Sequence, residues 1–256
     1  MLKKILKRYN INSKNIFVLL SVVGFTIFTL YMMNLMSNVA SFWSPNNKAY
    51  EPLPDLFFDL FGYKSVEKIV DSLMYMMLIS TAIAILIRKD AILIFFRLAT
   101  CISFSYLLRM TTVGITNLPD PNLDCFQVVE DTLTEASYRR CGDNIFSGHS
   151  IIILMCTFVW TKYDFFNNEL YWLIMSVFVW IICITNLVCI LFARYHYSVD
   201  ILLAFYICSS VWLIYDLIWT KYLIKNAYIA SLIKQEDINN RIVNSLTEYE
   251  KETKSI

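Results

Sequence analysis

The chain has two histidines, each in a short polar motif at the edge of an apolar run: Ser147-Gly148-His149-Ser150 and His196-Tyr197-Ser198-Val199-Asp200. His196 and Asp200 are four residues apart, so on a helix that begins by Tyr195 they are neighbours on one face. A carboxylate in that position fixes one imidazole nitrogen as N–H and leaves the other to attack or to take a proton. His149 supplies the complementary acid and base, and an ordinary imidazole pKa of about 6.5 suits proton transfer close to neutrality. The expected catalytic set is therefore His149, His196 and Asp200.

Other readings of these residues were weighed. A single interfacial histidine is more often a hydrogen-bonded anchor than a catalyst, and an Asp at a helix start is often only a cap. Here both histidines carry a Ser, Gly or Asp context, which favours chemistry. Two histidines and one aspartate, without a nearby Cys or HExxH spacing, fall short of a zinc site. No metal or other cofactor is expected.

The groups expected around a substrate are Ser147, Gly148, Arg109, Asp143, Tyr195 and Arg194. Arg109 lies near one end of an apolar segment, where an ionisable side chain is costly and therefore a functional candidate. Arg140 and Arg97 are further cations, the latter deeper and assigned a structural role. Gly142-Asp143 turns the chain into the segment after it, with Asp143 serving as helix cap or as partner to a histidine.

What must position these residues is a membrane protein. In a chain of 256 residues, a hydrophobic share of 57%, 16% aromatics and a mean hydropathy of +0.53 exceed the apolar content of an ordinary soluble domain. Six segments suit the roughly 20 apolar residues that a bilayer crossing needs: 16–36, 69–87, 91–113, 148–161, 170–193 and 200–219. The fourth has a short apolar core, Ile151 to Trp160, and must recruit Phe146 to His149 and Thr161 to Tyr163 to cross. The first is too long for a signal-peptide core and is read as a retained helix. The expected fold is all-α, with a tail at 1–15, a six-helix catalytic domain at 16–220 and a polar tail at 221–256.

Two spans separate His149 from His196, so both emerge on the same membrane face whatever the orientation. Each then stands at a helix N-terminus, whose free N–H groups and positive dipole end suit an anionic phosphate. Lysines and arginines near the span ends set the orientation. Lys3, Lys4, Lys7, Arg8, Lys14, Arg88, Lys89, Lys162, Lys221 and Lys225 fall on one side; Lys48, Lys64, Lys68, Arg139, Arg140 and Arg194 fall on the other. The bias predicts both termini in the cytosol and the connections 37–68 and 114–147, with the site, on the lumenal or extracellular side. Of seven cysteines, Cys101, Cys156, Cys183, Cys189 and Cys208 fall inside spans, as small hydrophobes do. Cys125 and Cys141 share an outer connection, where a bridge would stabilise by about 3 kcal/mol; spacing alone leaves its existence open. The formal net charge of +1, with no long single-sign block, gives no reason to expect nucleic-acid binding.

Four stretches resemble motifs of the sphingomyelin synthase family, within the lipid phosphate phosphatase (PAP2) superfamily. Glu51-Pro52-Leu53-Pro54-Asp55 with Phe58-Asp59 is similar to the first. Arg109, Thr112, Thr116, Leu118, Pro119 and Pro121 follow the spacing of the second. Cys141 to Ser150 resembles the third and His196 to Asp200 the fourth, so the likeness covers about 50–220. It implies a PAP2-like helical core in a Golgi, ER or plasma membrane. The implied reaction moves phosphocholine from phosphatidylcholine to ceramide and releases diacylglycerol. His196 is then the nucleophile oriented by Asp200, and His149 the acid and base, with Ser147 and Arg109 stabilising charge on the phosphoryl oxygens. Partners are membrane lipids, and homo-oligomerisation is left open.

One position departs from the family pattern. Animal members carry an acidic residue directly before the second histidine, where this chain has Arg194-Tyr195. Tyr195 suits choline by a cation–π contact, whereas Arg194 suits an uncharged polar head such as inositol. Ceramide phosphoethanolamine synthase and inositol phosphorylceramide synthase therefore stay open beside the choline reading. A lipid phosphate phosphatase is a further alternative, although the Arg-Pro dipeptide of those enzymes is missing. A non-catalytic lipid binder would not require both histidines and Asp200.

Overall fold

The computed structural model describes residues 13–45, 51–122, 124–128 and 140–219. Tail 221–256 and most of 1–15 lie outside the described residues, as do Lys48 and Arg139 of the charge comparison. Among the described residues seven helices follow in order: α1 (Ser13–Trp43), α2 (Leu56–Phe61), α3 (Glu67–Ile87), α4 (Ala91–Ile115), α5 (Gly148–Lys162), α6 (Glu169–Phe192) and α7 (Ser198–Ile218). Among the described residues the only β-type pairing is an isolated bridge between Phe126 and Arg140.

The bundle is organised around α5. Nine of its residues are buried, from Ser150 to Val159, and it packs against α3, α4, α6 and α7. Among the described residues five helices, α1, α3, α4, α6 and α7, are long and apolar enough to cross a membrane, and the fourth expected span, whose apolar core is short, is the 15-residue α5, only about 22 Å long. A helix sheathed by neighbours need not match the lipid thickness by itself, because protein rather than lipid surrounds it. Its partners reach it with polar contacts too: the Trp160 indole N–H donates to Thr81 Oγ1 on α3 at 3.0 Å.

Local sequence sets the helix ends. Ser147 caps α5, its hydroxyl oxygen accepting from Ser150 N at 3.3 Å, and Asn168 caps α6 through Leu170 N and Tyr171 N. Asp55 caps α2, a short helix inside a connection expected to be irregular, and Gly62 ends it at φ 67°. The first apolar run continues as helix well past residue 36 to Trp43. That extension carries buried Ser37, Asn38 and Ser41, and the hydroxyls of Ser37 and Ser41 donate to Asp143 and Phe126 in the connection after α4.

At the end of the bundle away from the histidines, Asp216 on α7 pairs with Arg97 on α4 (2.6 Å) and Lys162 on α5 (3.2 Å). The Arg97 guanidinium stacks over Trp212 at 3.9 Å. A buried arginine needs such company, and the structural role expected for Arg97 agrees with it.

Candidate active site

The segment before α5 is held in an unusual backbone conformation. Ile145 and Phe146 have φ of 62° and 80°, a left-handed region that side chains disfavour by about 1–3 kcal/mol each. Arg109 and Thr112, one helical turn apart on α4, hold it there. Arg109 Nε donates to the Phe146 carbonyl at 2.6 Å, and Thr112 Oγ1 donates to the Ile145 carbonyl at 3.2 Å. Arg109 Nη2 pairs with Asp143 Oδ1 at 2.8 Å, and Ser37 on α1 donates to the same oxygen at 3.0 Å. Gly148 lies against this arginine, where a Cβ would be 3.4 Å from its Cζ and Nη1, at van der Waals contact. Neither role expected for Asp143 is what the geometry gives: Ser147 caps α5, and Asp143 anchors Arg109.

The loop before α7 is fastened by the other two motifs. Asp55 Oδ2 accepts from Ser198 N and Oδ1 from Ser198 Oγ, both at 2.8 Å. The Tyr197 hydroxyl donates to the Pro119 carbonyl (2.8 Å) and accepts from Leu53 N (3.0 Å). Leu53 and Asp55, Pro119, and Tyr197 with Ser198 thus join three distant stretches into one clamp beside His196. Asp200 completes the turn by accepting from Tyr197 N at 3.1 Å.

These two loops meet over a cavity of about 320 Å³. His149, His196, Gly148, Arg109, Asp143 and Tyr195 line it, together with Tyr106, Asp120, Asn122, Cys125 and Arg140. His196 precedes α7 rather than lying within it, yet its Nδ1 is 3.4 Å from Asp200 Oδ2, leaving Nε2 as the second ring nitrogen. Asp200 is fully buried and His196 nearly so. His149 Nε2 faces Asp71 Oδ1 on α3 at 3.6 Å, and its ring lies against that of Tyr195, with centroids 5.7 Å apart. Ser147 is buried as the α5 cap and does not reach the cavity wall. Arg194, at φ 52°, places its guanidinium 5.0 Å from the Phe58 ring, away from the cavity lining.

Two groups at this site escaped the sequence reading. Asp71 had a legible signal, because a carboxylate one turn into an apolar segment is a functional candidate by default. Asp120 had none beyond its place in Leu118-Pro119-Asp120-Pro121. It is 5% exposed and accepts from Asn122 N (2.9 Å), Gly142 N (3.2 Å) and Asn144 Nδ2 (3.4 Å). Burial outweighs these hydrogen bonds and raises its pKa to about 7. Cys125 and Cys141 form a disulfide, with Cα atoms 5.0 Å apart, that ties the Asp120 connection to the segment before α5. Among the described residues no cluster of three metal-ligating side chains occurs.

The arrangement offers two imidazoles, each with a carboxylate behind one nitrogen, around a space bounded by arginines and tyrosines. Comparison with known proteins agrees with that chemistry. Residues 140–217 match the family model described as PAP2 superfamily C-terminal. Sphingomyelin synthase-related protein 1 of Homo sapiens is 27% identical over 76% of this chain and 49% of its own length. Phosphatidylcholine:ceramide cholinephosphotransferase 2 of Mus musculus is 26% identical over 73% and 56% respectively. Phosphatidylcholine:ceramide cholinephosphotransferase 1 of Homo sapiens is 26% identical over 74% and 50%. The chain spans about half the length of these relatives. The matched residues 140–217 include the whole of the third and fourth motifs, so the likeness to the PAP2 superfamily C-terminal model takes in His149, His196 and Asp200.

Proposed function

We propose that this protein is a sphingolipid head-group transferase that moves phosphocholine from phosphatidylcholine to ceramide and releases diacylglycerol. The observation that carries the reading is the pair His196–Asp200 and His149–Asp71 opening on one cavity between helix N-termini. His196 Nε2 attacks the donor phosphorus, and the bond from phosphorus to the diacylglycerol oxygen breaks. The imidazolium of His149 gives that oxygen its proton. Ceramide then enters; its primary hydroxyl loses a proton to His149 and attacks phosphorus, and the phosphorus–nitrogen bond breaks to free His196. Asp200 and Asp71 act through the histidines by orienting them and stabilising their cationic forms. The N-termini of α5 and α7 and the cations Arg109 and Arg140 favour the anionic phosphate. The site faces the lumen or cell exterior, and the termini lie in the cytosol.

The test is turnover of fluorescent ceramide by purified protein in vesicles, with phosphatidylcholine, phosphatidylethanolamine or phosphatidylinositol offered separately. Phosphosphingolipid from phosphatidylcholine, lost in His196→Ala, is the expected result. A product made only from ethanolamine or inositol donors replaces the head group and keeps the chemistry. Release of the free phosphorylated head group with diacylglycerol, without any phosphosphingolipid, makes the protein a hydrolase instead.

A further inference from the structure

Four carboxylates line the cavity or stand behind its histidines, and three face a cationic or cationisable group. Asp143 is 2.8 Å from Arg109, Asp71 is 3.6 Å from His149, and Asp200 is 3.4 Å from His196. Asp120 differs. It lines the cavity, yet among the described residues its oxygens accept only from the neutral N–H groups of Asn122, Gly142 and Asn144. The charged neighbour acting on it is Asp143, another carboxylate. Arg140, on the same wall, donates through Nη2 to Asn34 Oδ1 on α1 at 2.6 Å.

Three amide donors fix the position of this carboxylate without neutralising it, and a buried charge of that kind calls for a counter-charge. The cavity opens beside it, and two aromatic rings, Tyr106 and Tyr195, belong to the same lining. An alkylammonium group meets both features. Its charge satisfies the carboxylate, and its methyl or methylene groups pack against ring faces. An uncharged polyol head gains neither.

We propose that Asp120 is the head-group subsite, receiving the ammonium of a zwitterionic glycerophospholipid while the histidines engage its phosphate. The identity of the ligand as a phospholipid donor rests on the transferase reading above; the preference for a cation does not.

The test uses the full chain in non-ionic detergent micelles. Binding is measured in the His196→Ala background, with and without Asp120→Asn, and turnover in the otherwise wild-type protein. The probes are dihexanoyl phosphatidylcholine, phosphatidylethanolamine and phosphatidylglycerol, the last lacking an ammonium. The two ammonium lipids are expected to bind at least about tenfold more tightly than phosphatidylglycerol, a ratio that Asp120→Asn collapses to within about threefold. An unchanged ratio, or equal weakening for all three lipids, overturns the subsite. Should Asp120→Asn not fold, proton release decides the matter in the protein with Asp120 intact. Phosphatidylcholine binding at pH 7 displaces the Asp120 proton and phosphatidylglycerol binding does not, so calorimetry in buffers of different ionisation enthalpy separates them. Equal proton release for both lipids overturns the proposal. Ammonium preference without turnover of any donor sinks the transferase reading alone; turnover without that preference sinks the subsite alone.

Discussion

Asp71 on α3 stands 3.6 Å from His149 at the start of α5, so this histidine has a carboxylate behind it just as His196 has Asp200. The two pairs differ in exposure. Asp200 is fully buried, whereas the side chains of Asp71 and His149 keep 26% and 21% of their exposure. In the proposed reaction this carboxylate stabilises the imidazolium that protonates the leaving oxygen. Asp71→Asn should lower turnover by about 10²-fold, within the range that a positioned acid–base group supplies. Asp71→Glu should restore part of the rate, and Asp71→Asn should leave the unfolding midpoint in detergent level. A fall in the midpoint that accounts for the loss of rate would mean that Asp71 only supports the fold.

Tyr197 tests the clamp. Its hydroxyl joins the Leu53 N–H to the Pro119 carbonyl while its ring packs against Phe58, with centroids 5.8 Å apart. Tyr197→Phe keeps the ring and removes two part-buried hydrogen bonds, a loss of about 0.5–1.5 kcal/mol each. Thermal unfolding in detergent should show a lower midpoint. Turnover should fall as well, because His196 is the adjacent residue.

The motifs were legible in the sequence because they concentrate polar residues at the edges of apolar runs. Span parity likewise placed both histidines at one end without any structure. What sequence could not supply was the pairing of distant polar groups. The likeness of Glu51 to Asp55 to a family motif said nothing of Asp55 reaching Ser198, 143 positions away. Arg109 was read as a phosphate ligand, and it does line the cavity. Its Nε nevertheless holds the Phe146 carbonyl of the bend while Nη2 pairs with Asp143, a backbone demand that residue types do not announce. The short fourth span was visible as a weak apolar run, but its place at the centre of the bundle was not, because hydropathy does not distinguish burial in lipid from burial in protein.

Gly142 carries the strictest steric demand. It sits at φ 73°, and a Cβ there would fall 2.6 Å from Asn117 Oδ1, 2.8 Å from Ser44 Cβ and 2.9 Å from the Ala40 carbonyl oxygen. Gly142→Ala should destabilise by more than the roughly 1 kcal/mol of an unstrained exchange, since both the backbone region and the space oppose it. The end of α1 would have to move, and with it Ser37 and the Asp143–Arg109 pair. Gly24→Ala is the matching comparison, because nothing lies within 4 Å of a Cβ at that helical position. Its unfolding midpoint should stay level or rise, and a drop comparable to that of Gly142→Ala would refute the steric account.

Asp120 gives stability a pH dependence whose sign follows from its burial. Its folded pKa is raised to about 7, above an unfolded value of about 3.9. Between those values the native state keeps a proton that the unfolded chain has released. Stability contributed by this group is therefore complete below about pH 4 and is lost as pH rises through about 7. The groups that face it are the amides of Asn122, Gly142 and Asn144 and the carboxylate of Asp143, which raises its pKa further. Asp120→Asn holds a neutral side chain at every pH, so its unfolding midpoint should fall less than the wild type's between pH 4 and pH 8. Parallel curves for the two proteins would mean that Asp120 stays ionised in the fold throughout, and that burial does not govern its charge.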